Sequence, residues 1–182
     1  MTEQLAFKVV ADYGAFELRE YPQHIRVDVV AAGSFMTAGS MAFRPLLTYI
    51  SGGNQDSTRF EMTAPVIQET SHTDTSGREL HRVSFVLPLE ANPDDVPRPM
   101  DSKVTTRVVP PTTVAALRFG GGWNEQRFKD RALALSQAVE QAGLTSIGQP
   151  YFARFDPPWK PGFLKHNEAL IDVQGEPTKG NK

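Results

Sequence analysis

One order of periodicities, strand, strand, helix, strand, strand, runs through the first half of this chain and then again through the second. In the first half, Phe16 to Tyr21 (FELREY) and His24 to Ala32 (HIRVDVVAA) alternate apolar and polar side chains with period two, as half-buried strands do. Pro22 separates them, which predicts adjacent strands joined by a tight turn. Helical spacing follows, with Phe43, Leu46, Leu47 and Ile50 on one face and Tyr49 at its edge. Gly52, Gly53 and Asn54 tolerate the left-handed backbone of a helix C-cap and end it. Proline is welcome in a first turn but costs roughly 3 kcal/mol in a helix interior, so Pro45 predicts a helix starting near Arg44, or a kinked one starting near Thr37. Phe60 to Ile67 (FEMTAPVI) then reads as a strand that Pro65 confines to an edge or bulge. The polar run Glu69 to Gly77 reads as an exposed hairpin loop, and Leu80 to Leu87 as a strand.

Pro88 to Pro99 carries four prolines in twelve residues and no period, which marks a connector between halves. Beyond it, Lys103 to Val109 and Thr113 to Phe119 read as strands, and Asn124 as the N-cap of a second helix. Phe128, Ala132, Leu135, Val139 and Ala142 form its apolar stripe, and Gly143 closes it. Tyr151 to Phe155 is a strand, Asp156 to Gly162 a rigid turn, His166 to Val173 the last strand, and Gly175 to Lys182 a polar, frayed tail. The fold class that follows is α+β: two pseudo-symmetric halves forming a distorted antiparallel β-barrel flanked by two helices. A length of 182 residues fits a single domain, 1–182, with its core at 13–173.

Function classes narrow by exclusion. A net charge of -2 supplies no basic field for nucleic acid or anionic lipid. Without cysteine there is no disulfide, thiolate metal site, cysteine nucleophile or thioether-linked haem. The N-terminus lacks the pattern of a signal peptide and no run reaches eighteen apolar residues, so a soluble cytoplasmic protein, favoured as a monomer, is expected. The common nucleotide, metalloprotease and hydrolase signatures are missing as well.

Few residues suggest chemistry. Gly120-Gly-Gly122 is explained more cheaply as a strand-to-helix turn than as an anion site. His24, His72, His81 and His166 show no metal-ligand spacing. Glu61, between Phe60 and Met62, would be a general acid or base if it faced inward, although strand alternation favours an outward position; an enzyme acting on a small hydrophobic substrate is the alternative it offers, with a small-molecule sensor as a third. Lys160, held between Pro158-Trp159 and Pro161, offers a cation beside an aromatic ring to a ligand carboxylate.

Several stretches, FELREYP, FRPLLTYISGGN, EMTAPV, SFVLP, PRPMDSKV, RFGG, ARFDPPWKPGF and HNEALI, taken in order from about Tyr13 to Val173, resemble the SOUL haem-binding protein family. The resemblance implies two pseudo-symmetric halves, a fold similar to the effector-binding domains of multidrug-responsive regulators, and reversible, non-covalent binding of haem or a related tetrapyrrole by a carrier or buffer. It places an apolar groove at Phe43, Leu46, Leu47 and Ile50, with Lys160 as propionate partner. Phe43 and Leu47 replace methionines of one relative, and Thr48 stands in place of a lysine, which removes one charge contact and leaves Arg44 as the candidate to compensate. Glu20 occupies the place of an iron-ligating histidine proposed in another relative, and His24 does not inherit that role, so burial of the macrocycle without a strong axial ligand is expected.

Overall fold

The computed structural model describes residues 2–157 and 159–175; the expected tail from 176 onward, and Pro158 of the expected rigid turn, lie outside the described residues. The strands are β1 (Lys8–Asp12), β2 (Glu17–Tyr21), β3 (His24–Ala32), β4 (Val66–Thr73), β5 (Glu79–Val86), β6 (Val104–Val109), β7 (Thr112–Phe119), β8 (Ser146–Arg154) and β9 (Asn167–Val173). The helices are α1 (Phe35–Ile50) and α2 (Glu125–Gln141). All strand pairings are antiparallel, and the nine strands form one sheet in the order β1-β2-β7-β9-β8-β4-β5-β3-β6. With both helices packed on it, the curled sheet is an α+β distorted half-barrel.

The duplication is visible in that order. With β1 set aside, exchanging β2 with β6, β3 with β7, β4 with β8 and β5 with β9 reverses the order onto itself, so a pseudo-two-fold passes between β4 and β8. Each half contributes a three-stranded unit, β3-β5-β4 or β7-β9-β8, and lends its first strand to the other: β2 pairs with β7, and β6 with β3. The expectation that the first two strands are neighbours is thereby corrected. Both belong to the sheet, but the chain crosses to the other half between them.

Helix α1 starts at Phe35, where the Ser34 hydroxyl accepts from the Thr37 N–H at 3.2 Å. Pro45 thus lies in its interior, close to the kinked option rather than the short one. The backbone carbonyl that loses its partner belongs to Met41, itself an exposed residue. Leu46, Tyr49 and Ile50 enter a core with Ile25, Val27, Val83 and Phe85. Helix α2 is capped by Asn124 as expected, its Oδ1 accepting from the Arg127 N–H at 3.0 Å. Phe128, Leu135 and Val139 meet Leu117, Phe119 and Phe152 in the second core.

Several boundaries differ from the sequence reading, and β8 starts at Ser146 rather than Tyr151. Residues 60–65 are not a strand; Ala64 instead exchanges 2.8 Å hydrogen bonds with Glu3 and Leu5 of the N-terminal segment. The polar run from Glu69, expected as a loop, belongs to β4 as far as Thr73 and stays paired with β5, because a hairpin extending past the core needs only its ladder and shows no alternation. Strand β1, exposed along most of its length, has no apolar period for the same reason. The connector 88–99 contains a short 3-10 turn at Pro93–Asp95 and is fastened to α1, where the Tyr49 hydroxyl donates to the Pro97 carbonyl at 2.7 Å.

Candidate functional site

The seam between the two halves is short, pairing Val66 with Arg154, Ile67 with Ala153 and Gln68 with Phe152. Alternation turns Val66, Gln68, Phe152 and Arg154 to the face that carries the helices. Helix α1 packs on β3 and β5, and α2 on β7, β8 and β9, so the space between the helices lies over the seam. A cleft of about 550 Å³ opens there. Its walls include Met36 and Phe43 of α1, Met62 before β4, Trp123 before α2, and Phe155 and Trp159 after β8.

Arg154 lines this apolar space although it is only 8% exposed. Its guanidinium lies 4.7 Å from the Trp123 ring centre and 5.8 Å from that of Phe35. Nη2 donates to Oε1 of Gln68 at 2.8 Å, whereas Nε has no hydrogen-bond partner among the described residues. Gln68 is fully buried and its orientation is fixed, since its Nε2 donates to the Phe35 carbonyl at 2.7 Å. Among the described residues no carboxylate pairs with Arg154. Burial pushes its pKa down to about 10, which leaves it charged at neutral pH. The indole Nε1 of Trp123, in the same wall, also lacks a partner.

Asp156 is the acidic group in the wall, and it is engaged. Oδ1 meets Lys160 Nζ at 2.5 Å and Oδ2 accepts from the His166 N–H at 2.5 Å. Burial alone would raise its pKa, but these donors outweigh burial and hold the carboxyl below its ordinary value.

The residues singled out in the sequence fall in different places. Phe43, 39% exposed, lines the cleft; Leu47, 41% exposed, continues the same outward stripe one turn on, and Arg44 is exposed beside it. Leu46 and Ile50 face the other way, into the core, where a ligand meets them only by unpacking α1. Lys160 stands beside Asp156, already ion-paired. None of the four histidines lines the cleft; His24 is buried on β3. Glu61 is exposed and outside the cleft lining. Gly121 and Gly122 form a strand-to-helix turn whose carbonyls accept from Asn167 and Arg127. The sequence reading missed Arg154, Gln68, Gly39 and Trp123. The available signal was a lone arginine inside the apolar run Tyr151 to Phe155.

Comparison with known proteins agrees with this architecture. The family model described as SOUL heme-binding protein matches residues 2–172. Heme-binding protein 2 of Homo sapiens is 27% identical over 175 residues, covering 93% of this chain and 83% of its own length. Among solved structures, the EcmrR C-terminal domain superposes with a TM-score of 0.64 at 14% identity, covering 92% of this chain and 98% of that one. A hydrolase from Listeria innocua gives 0.58 at 13% identity, covering 91% and 94%. At such identities the likeness to these structures is one of fold.

Proposed function

Because this chain belongs to the SOUL heme-binding protein family, we propose that it binds haem or a related tetrapyrrole reversibly and without covalent attachment, in the cleft over the β4–β8 seam, as a soluble cytoplasmic carrier or buffer. The observation that carries this reading is the cleft itself. Its volume of about 550 Å³ lies within the ordinary range of small-molecule sites, and its largely apolar lining, which includes the rings of Phe43, Trp123, Phe155 and Trp159, suits burial of a flat apolar ring. A single cation in its floor suits a propionate. The chain has no cysteine with which to fasten a vinyl group.

Phe43 and Leu47 provide the apolar face of α1, and Leu46 and Ile50 support that face from behind. Arg44 stands at its exposed edge. Lys160 reaches a propionate only by leaving Asp156, so the more available charge is Arg154. With no histidine in the lining, affinity comes from burying the macrocycle, and the soft donors at hand are the thioethers of Met36 and Met62. Bound haem would supply its own iron chemistry, and the protein's part is to hold and shield the ring. The test is a haem titration followed at the Soret band. A saturable one-to-one shift is expected, weakened about tenfold or more by Phe43→Asp, and a protein that produces no saturable shift refutes the reading.

A further inference from the structure

A guanidinium has five N–H donors, and among the described residues the side-chain hydrogen bond from Arg154 is the one to Gln68, with Nε unpartnered. A buried cation in this position ordinarily has a carboxylate beside it, since an unpaired charge in a low-dielectric setting is costly. Here the neighbour at 2.8 Å is Gln68, an uncharged acceptor locked by the Phe35 carbonyl. The nearest acid of the wall, Asp156, is taken by Lys160 and the His166 N–H. Among the described residues the charge of Arg154 is thus left without a counter-ion.

Gly39 of α1 keeps that charge uncovered. A Cβ at this position would stand 3.0 Å from Gln68 Oε1 and 3.3 and 3.5 Å from the two terminal nitrogens of Arg154. Any side chain would press on the pair and close the floor of the cleft. A second unused donor, Trp123 Nε1, lies in the same wall, and the face of that indole packs against the guanidinium. Two unpaired donors on residues that line one apolar space suit an acceptor with negative charge, and the sign of Arg154 disfavours a lipophilic cation in the same place.

We propose that the cleft is selective for amphipathic carboxylates: the carboxylate seats on the Arg154 guanidinium beneath Gly39, and the apolar body lies along Met36, Phe43 and Trp159. The proposal shares its cleft with the haem reading but requires neither iron nor a macrocycle. A tetrapyrrole propionate and a fatty acid carry the same recognised group.

The test compares decanoate with decanol and decyltrimethylammonium, and protoporphyrin IX with its dimethyl ester, by calorimetry and Trp fluorescence. It uses the wild-type chain, Arg154→Met and Gln68→Glu, each checked for folding by circular dichroism. The Gln68→Glu change is nearly isosteric and gives the guanidinium an internal counter-ion, so it serves even if Arg154→Met fails to fold. At least one carboxylate is expected to bind about tenfold or more tightly than its neutral counterpart, with the cation weakest, and both variants should abolish that preference. Preference for decanoate alone identifies a fatty acyl chain as the ligand, and preference for protoporphyrin alone identifies a tetrapyrrole. Equal binding of acid and neutral forms, a preference that survives in a folded variant, or no binding of any probe overturns the proposal. Haem titrated in the same preparations separates the two readings: a Soret shift insensitive to Gln68→Glu upholds haem binding and refutes the role of Arg154.

Discussion

His24 is held in one protonation state by its neighbours. Arg26 Nε donates to its Nε2 at 3.1 Å, so the neutral ring carries its proton on Nδ1, which donates to the Pro22 carbonyl at 2.9 Å. Burial pushes its pKa down to about 4; the Pro22 carbonyl opposes the shift, and the charges of Arg26 and Arg107 assist it. In the unfolded chain the same imidazole titrates near its reference value of about 6.5. As pH falls through that value, the unfolded state takes up a proton that the folded state refuses. The stability associated with His24 is therefore complete above about pH 6.5 and declines until about pH 4, by on the order of 2 kcal/mol. Denaturant unfolding of wild type and His24→Leu across this window should show the flatter curve in the variant; parallel curves would assign the slope to another group. Arg154 shows why such residues escape a sequence reading. An arginine in a strand is most often solvated, and its burial here depends on Phe35, Gln68 and Trp123, which lie far from it in the chain.

At the scale of the element, α1 has two apolar faces that its sequence spacing does not separate. Phe43, Leu46, Leu47 and Ile50 satisfy one helical periodicity, yet Leu46 and Ile50 enter the core while Phe43 and Leu47 do not. Spacing reports that a stripe is apolar. It does not report where the sheet ends and the cleft begins, since this depends on how α1 crosses β3 and β5. Two neighbouring substitutions distinguish the faces. Leu46 is 0% exposed, and Leu46→Ala should destabilise the fold by about 2–5 kcal/mol, read by denaturant unfolding. Leu47→Glu should change stability by about 0.5 kcal/mol or less while weakening haem binding. Equal destabilisation by both would mean that α1 is rolled from the position described, and haem affinity untouched by Leu47→Glu would confine the ligand to the Phe43 end of the cleft. The capping residues Ser34 and Asn124 mark the helix starts because a cap is a local arrangement.

At the scale of the molecule, the repeated element order was legible because periodicity is written along the chain, whereas the exchange of first strands was not, because pairing joins residues far apart in sequence. Arg19 pairs with Val114, and Asp28 with Thr105, across the connector. The exchange bears directly on how the halves depend on one another. Strand β2 sits on the second half's three-stranded unit and β6 on the first half's, while the direct β4–β8 seam spans three residue pairs. A fragment ending near Pro93 would retain β3-β5-β4 but leave the β3 edge unpaired where β6 belongs. The complementary fragment would leave the β7 edge bare where β2 belongs. Each would also expose one side of the cleft, with Arg154 open to water in the second fragment. Neither fragment alone should give a cooperative unfolding transition or bind the ligand. Mixed at equal concentration, they should recover both, because each carries the strand the other lacks. Fragments that fold cooperatively by themselves would show that the exchanged strands contribute little, and the two halves would then have to be regarded as separable units joined mainly at the β4–β8 seam.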